Sequence, residues 1–219
     1  KSYGKEGSHL FYDTVIDGED RRLHKIDRNM LLSRFLGVKS NMPEITLNVP
    51  AAYHEYVDDY FNSQGITGDV FAVNPFSSQG TDFKRWNMKK YAQLIKKITH
   101  ELKVKVVILW GPKEFKEAQR LKEEGGREVY LACPTNIPQL FALLQRTTLY
   151  ISGDTGVMHL AAFAGTPVIA LFGPTDHKIN APYGSHCTVI RKDVPCSPCK
   201  NRDCMERKCL DDISVDEVF

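Results

Sequence analysis

From residue 69 onward, short apolar runs alternate with longer stretches in which apolar residues recur at helical spacing. The apolar runs are DVFAVN, VKVVILW, REVYLA, TLYIS and PVIALFG, and each has the length of a buried strand. Strands that are apolar on both faces and are joined by helices are typical of a parallel sheet covered on both sides. We therefore predict a doubly wound α/β domain between about residues 69 and 190.

The pattern before this domain is different. HKIDRNMLLSRFLG predicts a helix that stops at Gly37, and AYHEYVDDYFNSQG predicts a second helix that closes at Gly65. Between them, PEITLNVP alternates like an edge strand or a linker. The chain has no initiator Met and stops at ISVDEVF, which resembles the first turn of a helix, so we expect a piece of a longer protein.

Composition excludes some classes of function. The chain has 219 residues, of which 42% are hydrophobic and 26% charged, and its net charge of +2 is too small to indicate a nucleic-acid partner. The longest apolar stretch, residues 157–173, contains His159, Gly165 and Pro167, which favours helix, turn and strand over a membrane span. We expect a soluble, cytoplasmic protein.

Three polar loops follow predicted strands, and they are the places where a doubly wound sheet binds ligands. Loop 1 is NPFSSQGTDFKRW (residues 74–86), loop 2 is WGPKEFKE (110–117) and loop 3 is SGDTGVMH (152–159). The chain has neither a G-x-x-x-x-G-K-[ST] loop nor a G-x-G-x-x-G fingerprint, so the usual support for ATP hydrolysis and dinucleotide redox chemistry is missing.

Loop 3 has the features of a phosphate site on a helix tip. Thr155 or Asp154 begins the helix, and Gly156 lets a ligand approach its first turn. Free N–H groups there favour phosphate. Asp154 is either a plain helix cap or an acceptor for sugar hydroxyls, and His159 is either a buried core histidine or part of the site.

Loops 1 and 2 carry complementary groups. The Ser77 and Ser78 hydroxyls and the cation of Lys84, with Arg85 beside it, suit a phosphate ester, although a basic surface loop has the same composition. In loop 2, the carboxylates of Glu114 and Glu117 suit a ribose diol, or simply favour the start of a helix.

The C-terminal tail is rich in cysteine. VPCSPCKNRDCMERKC places Cys196, Cys199, Cys204 and Cys209 at the spacing C-x2-C-x4-C-x4-C. Zinc, an iron–sulfur cluster, two disulfides and free thiols are all compatible with this spacing. Two more cysteines, at positions 133 and 187, are isolated and are predicted to be small buried apolar residues.

Together these motifs resemble a known family. NPFSS…FKRW, SGDTGVMHLAAFAGTPVIALFGPTD and the CSPC…C…C tail resemble the lipopolysaccharide heptosyltransferases of glycosyltransferase family 9, and the tail favours the heptosyltransferase II branch. The resemblance implies the GT-B fold, in which two Rossmann-like domains face each other. It divides the chain into the end of an acceptor domain with its linker (1–50), a donor-binding domain (51–190) and the tail (191–219).

The resemblance also implies an inverting, metal-independent transfer of heptose from ADP-heptose to a lipopolysaccharide core acceptor. Lys84 would neutralise the departing ADP, and Asp154 would bind heptose hydroxyls. The donor would also contact other residues, namely Ser77, Ser78, Glu114 or Glu117, Thr155, Gly156 and His159. The general base of the family lies in the N-terminal domain, so this chain is expected to supply the donor side alone.

Further consequences and alternatives accompany this interpretation. The resemblance implies no cofactor and is compatible with peripheral association at the inner membrane, while the tail leaves a structural metal open. The alternatives are a non-catalytic nucleotide- or metal-binding module with the same fold and a GT-B enzyme that uses another nucleotide sugar, such as a UDP-sugar.

Overall fold

The computed structural model of the chain describes residues 8–11, 22–39, 47–199 and 201–219. It divides into two compact units, of which the first comprises residues 1–46 and 178–180 and the second comprises 47–177 and 181–219. In the first unit, a short 3-10 helix spans Ser8–Phe11 and helix α1 spans Lys25–Phe35, as the helical pattern predicts. The candidate strand PEITLNVP falls partly outside the described residues, and residues 47–50 have no regular structure.

A six-stranded parallel sheet forms the centre of the second unit. Its order is β3-β2-β1-β4-β5-β6, the order of a Rossmann-like sheet, which confirms the predicted doubly wound α/β class. The strands are β1 (Val70–Asn74), β2 (Lys105–Ile108), β3 (Val129–Leu131), β4 (Leu149–Gly153), β5 (Val168–Phe172) and β6 (Cys187–Arg191).

Helices cover both faces of the sheet. They are α2 (Ala51–Ser63), α3 (Met88–Lys97), α4 (Phe115–Gly125), α5 (Ile137–Gln145), α6 (Gly156–Phe163), α8 (Lys208–Asp211) and α9 (Val215–Val218), and a π-helix (Ile98–Leu102) extends α3. A further short helix, α7 (His177–Asn180), has three of its four residues in the first unit. One apolar core lies between the sheet and α3, α4 and the tail, and the other lies under α2, α5 and α6. In the described part of the chain, no helix has the length and apolar character needed to cross a membrane.

Local chemistry starts several helices where the sequence predicts. The Asn87 side chain accepts a hydrogen bond from the Lys89 N–H at the start of α3. Asn136 and Gln139 form a reciprocal capping box at the start of α5. These caps fix where each helix leaves the sheet, and hence the shape of the preceding loop.

Strand β6 is absent from the sequence-based prediction. It lies at the sheet edge, and no residue of CTVIR is fully buried, so its apolar signal is weak. Cys187 lies in this strand and is half-buried, as is Cys133, so neither is the fully buried apolar residue that the sequence predicts. The pairing of β6 with β5 continues the sheet toward the C-terminal tail.

Candidate functional site

A cavity of about 900 Å³ opens where loops 1, 2 and 3 meet at the carboxyl ends of the strands. Loop 1 follows β1 and loop 3 follows β4, and these two strands are neighbours although they are distant in the chain. From β1 the chain adds β2 and β3 on one side of the sheet and then β4 to β6 on the other, so the strand order reverses between β1 and β4. Doubly wound folds bind ligands at this point. The volume lies in the range of small-molecule sites.

The start of α6 forms one wall of this cavity, at Thr155, Gly156 and Val157. Thr155 is the cap, because its side chain accepts a hydrogen bond from the Met158 N–H at 3.4 Å. Asp154 is therefore not the helix cap. A Cβ atom at Gly156 would meet no atom of the described residues within 4 Å, so the space beside the first helical turn is open.

Buried polar groups support loop 3, which leads from β4 into α6. The Tyr150 hydroxyl lies within the core and receives a hydrogen bond from the Asn74 side-chain amide at 3.3 Å. Burial raises the pKa of Tyr150, and hydrogen bonds with Ser152, Thr155 and Asn74 oppose that rise. This network links the ends of β1 and β4 and so holds loops 1 and 3 in register.

Asp154 forms an ion pair with Lys84. The Lys84 Nζ atom lies 2.8 Å from Asp154 Oδ2, and the two side chains are 23% and 10% exposed. The pair joins loop 1 to loop 3, beside the N-terminus of α6. Both residues lie outside the set of described residues that line the cavity, as does His159.

His159 lies on α6, one turn beyond Thr155, as its spacing predicts. Its side chain is exposed, so the alternative of a buried core histidine is wrong. Exposure leaves it accessible from solvent at the end of the sheet that carries the cavity.

Ser77 and Ser78 both line the cavity, as the sequence predicts for groups at this mouth. Ser77 is buried, its hydroxyl donates to the Thr81 carbonyl at 3.1 Å, and the same hydroxyl accepts from Arg85 Nε at 3.0 Å. Ser78 is exposed. Ser77 is thus committed to the loop, while the Ser78 hydroxyl faces a more open environment.

Arg85 organises loops 1 and 2, a role that sequence reasoning missed. Besides Ser77, its guanidinium contacts Asp82 at 3.0 Å and Glu114 at 3.3 Å. The sequence signal was a second cation next to Lys84, but its partner Glu114 comes from loop 2, so spacing does not reveal that contact. Arg85 also lines the cavity, with its guanidinium paired to the Asp82 and Glu114 carboxylates.

The two carboxylates of loop 2 have different environments. Glu114 accepts the Gly111 N–H at 2.7 Å through one oxygen and contacts Arg85 through the other, so both of its oxygens are engaged. Glu117 is exposed in the first turn of α4 and lines the cavity. The geometry thus separates two residues that the sequence leaves equivalent: Glu114 fixes the loop, and Glu117 is available to a ligand.

The far end of the cavity is mainly apolar. Its lining residues there include Leu109, Trp110, Ile137 and Leu140. The Trp110 indole N–H donates to the Ala132 carbonyl at 2.8 Å, and its ring packs edge-on against Phe115. Ile137 is 72% exposed at the first position of α5, which gives a planar ligand an apolar rim to contact.

The four tail cysteines are not among the described residues that line the cavity. Cys196 and Cys199 are exposed, Cys204 is half-buried and Cys209 is buried, and all four are free thiols. Burial raises the pKa of the Cys209 thiol, and the other three tail cysteines add to the rise. Among the described residues, no three His, Cys, Asp or Glu side chains lie close enough to hold a metal ion.

Comparisons with known proteins identify the family. The model of glycosyltransferase family 9 (heptosyltransferase) matches residues 1–210. Lipopolysaccharide heptosyltransferase 3 of Escherichia coli is 27% identical over 165 residues, which cover 74% of this chain and 48% of the relative. The chain spans about half the length of the first curated relatives that it matches.

Solved structures match the fold. The glycosyl transferase family 9 protein from Veillonella parvula has a TM-score of 0.80 at 22% identity, with 96% of this chain and 62% of that chain covered. E. coli ADP-heptose lps heptosyltransferase II has a TM-score of 0.72 at 20% identity, with 97% and 65% covered. The Rossmann-like sheet is thus one that GT-B glycosyltransferases contain. With residues 1–210 matched by the family model, the chain belongs to glycosyltransferase family 9, the heptosyltransferases.

Proposed function

We propose that this chain is the donor-binding part of an enzyme that transfers heptose from ADP-heptose to a lipopolysaccharide core acceptor. The observation that carries the proposal is the cavity between loops 1, 2 and 3, which is apolar at one end and ends at the open N-terminus of α6. Membership of the heptosyltransferase family supports it, and the related E. coli heptosyltransferase II takes its name from ADP-heptose.

The diphosphate of the donor fits the polar end. The N–H groups of Gly156 and Val157 begin a helix that has no side chain at its first position, and a helix N-terminus favours anions. The Ser78 hydroxyl and the cations of Lys84 and Arg85 lie on the facing loop. We expect the diphosphate to lie on α6, with these groups opposite.

The adenosine fits the rest of the cavity. Trp110, Ile137 and Leu140 offer an apolar surface to the base, and Glu117 offers an uncommitted carboxylate to the ribose diol. Glu114 supports the same region indirectly through its bonds to Gly111 and Arg85. Glu117 is therefore the better candidate for the ribose contact.

Transfer is proposed as one inverting displacement. The acceptor oxygen bonds to the anomeric carbon while the bond from that carbon to the diphosphate oxygen breaks. Negative charge then grows on the leaving ADP, where Lys84 and the α6 N–H groups stabilise it. Asp154 and His159 are proposed to hold the sugar side of the donor, and the base that takes the acceptor proton lies outside the donor-binding unit.

The proposal includes no metal ion and no cofactor, because Lys84, Arg85 and the α6 N-terminus provide the positive charge that a diphosphate needs. The partners are the nucleotide sugar and the lipopolysaccharide core. We propose that the enzyme works in the cytoplasm, at the inner face of the inner membrane.

The first prediction tests donor binding by titration calorimetry with ADP, ADP-heptose and UDP. We expect the two adenine nucleotides to bind and Lys84→Ala to weaken both roughly tenfold or more, since a charge-assisted bond to phosphate contributes about 1.5–3 kcal/mol. UDP is expected to bind more weakly.

Lys105→Ala is the matched control, because Lys105 is a half-buried lysine that starts β2, at the opposite end of the strands from the cavity, and bonds to Thr67. It should leave the affinity for ADP unchanged. If neither adenine nucleotide binds the folded chain, the ADP-heptose proposal is wrong. Preferential binding of UDP would point instead to a UDP-sugar enzyme.

A further inference from the structure

The Lys84–Asp154 ion pair engages two groups that the proposed reaction needs for different purposes. At 2.8 Å it is a direct, charge-assisted contact, and the carboxylate is only 10% exposed. In the proposed function, Lys84 serves the diphosphate and Asp154 serves the sugar. The inference that follows rests on that proposed function.

The backbone keeps the two residues together. A Cβ atom at Gly153 would lie 3.1 Å from the Lys84 carbonyl oxygen, so the end of the short 3-10 helix Asp82–Lys84 packs directly on the end of β4. The Lys84 side chain therefore starts from a fixed point. Its flexible stem still allows the ammonium group to move by rotation about its side-chain bonds.

A diphosphate on the α6 N-terminus would lie beside Asp154, which precedes the cap Thr155. Two negative groups so close repel each other, and one ammonium group gives full neutralisation to only one of them. In the described part of the chain, the hydrogen bond and the ion pair of Asp154 are both to Lys84. A carboxylate that is nearly buried and loses its partner is unstable unless other donors replace it.

We propose that Lys84 is exchanged between two anions: it neutralises Asp154 in the empty site and moves to the diphosphate when the donor binds. The move leaves the Asp154 carboxylate without its cation, and the hydroxyls of the donor sugar replace that cation as hydrogen-bond donors. The sugar-binding capacity of Asp154 thus depends on the presence of the diphosphate.

The exchange has a consequence for turnover. Once the sugar has been transferred, ADP remains with a carboxylate beside it that no hydroxyl satisfies. Asp154 then competes with ADP for Lys84, which weakens the binding of the product. The same residue therefore favours the intact donor and promotes the release of ADP.

The second prediction concerns Asp154→Asn, measured by calorimetry with ADP and ADP-heptose. We expect ADP to bind about fivefold more tightly than to the unaltered chain, the size expected when one partly exposed ion pair is removed as a competitor. Affinity for ADP-heptose should rise less or fall, because the amide replaces one of the acceptor oxygens. The preference for ADP-heptose over ADP should therefore shrink.

Asp69→Asn is the matched control. Asp69 is an exposed carboxylate just before β1, at the opposite end of the strands from the cavity, and accepts a hydrogen bond from Thr148 at 3.0 Å. It removes the same formal charge and should change neither affinity.

The possible outcomes are distinct. If the unaltered chain binds ADP and Asp154→Asn binds it equally or more weakly, the exchange is wrong while the donor site stands, because Asp154 would then be holding Lys84 in place for the phosphate. If the unaltered chain binds neither nucleotide, both the exchange and the proposed function fail.

A second measurement needs no variant. Crystal structures of the unaltered chain with and without ADP should show Lys84 Nζ leaving Asp154 and coming within about 3 Å of a phosphate oxygen. A Lys84 that stays in contact with Asp154 in the ADP complex would overturn the exchange, even if Asp154→Asn failed to fold.

Discussion

At the scale of single residues, Gly153 and Gly156 lack side chains for opposite reasons. A Cβ atom at Gly153 would press on the Lys84 carbonyl oxygen at 3.1 Å, so the protein itself occupies that space. In the part of the chain that the structure describes, a Cβ atom at Gly156 would meet no atom within 4 Å. Gly156 is thus free of packing constraints from the described residues and borders the cavity, where a ligand has room to approach it.

The third prediction follows from this contrast. Gly156→Ala should leave the chain as stable as before, or up to about 1 kcal/mol more stable, because alanine favours a helix over glycine. Its methyl group should nevertheless weaken ADP binding by roughly tenfold, since overfilling a tight contact costs about 1–3 kcal/mol. Urea unfolding and calorimetry measure the two effects separately.

Gly153→Ala provides the comparison, because its methyl group meets the Lys84 backbone and should lower the free energy of unfolding as well as the affinity. A Gly156→Ala protein that keeps full affinity for ADP would place the diphosphate elsewhere than on α6.

At the scale of elements, the tail docks on the loops that carry the site. The Trp86 indole N–H donates to the Ile213 carbonyl at 3.2 Å, and the Arg207 guanidinium donates to the Arg85 carbonyl. Leu210 is fully buried against Gly173, at the end of β5. The segment that contains the cysteines therefore packs against the end of loop 1, at Arg85 and Trp86.

The fourth prediction tests this docking. Gly173→Ala would place a methyl group inside the Leu210 side chain. We expect a loss of about 1–3 kcal/mol in the free energy of unfolding, as for other overpacked cores, measured by urea denaturation. The double variant Gly173→Ala with Leu210→Ala should lose less free energy of unfolding than the sum of the losses in the two single variants. Strictly additive effects would show that Leu210 is not what Gly173 accommodates.

At the scale of the whole molecule, every described residue that lines the cavity belongs to the unit formed by residues 47–177 and 181–219. A ligand that binds only the folded unit must stabilise it, by an amount that grows with the logarithm of the ligand concentration above the dissociation constant. Nucleotide binding and the folding of this unit are therefore coupled.

The fifth prediction is that ADP at 100 times its dissociation constant raises the free energy of unfolding by about 2.7 kcal/mol. The rise should be the same in the presence of EDTA, because Lys84, Arg85 and α6 are proposed to neutralise the diphosphate without a metal ion. Thermal denaturation with ADP, with and without EDTA and then with added magnesium, measures it. A rise that requires magnesium would contradict the metal-independent mechanism.

Much of the fold follows from short-range patterns. The apolar runs predict strands β1 to β5, and helical spacing with caps such as Asn87 and Asn136 predicts α3 and α5. These features depend on neighbours in the chain, so local propensity is enough to reveal them. Edge strand β6 escapes because a half-covered strand of five residues has little periodic signal.

The site, like the fold, has features that depend on local sequence and features that depend on contacts between distant residues. The sequence by itself determines that polar loops follow buried strands, and it predicts a phosphate site at Ser77, Ser78, Thr155 and Gly156. Only the tertiary structure decides that β1 lies beside β4, which brings Lys84 within 2.8 Å of Asp154, 70 residues away. It also decides that Arg85 joins Ser77 to Glu114 and leaves Glu117 uncommitted. The physical reason is that such contacts depend on strand order, which arises from packing across the whole sheet and not from any local pattern.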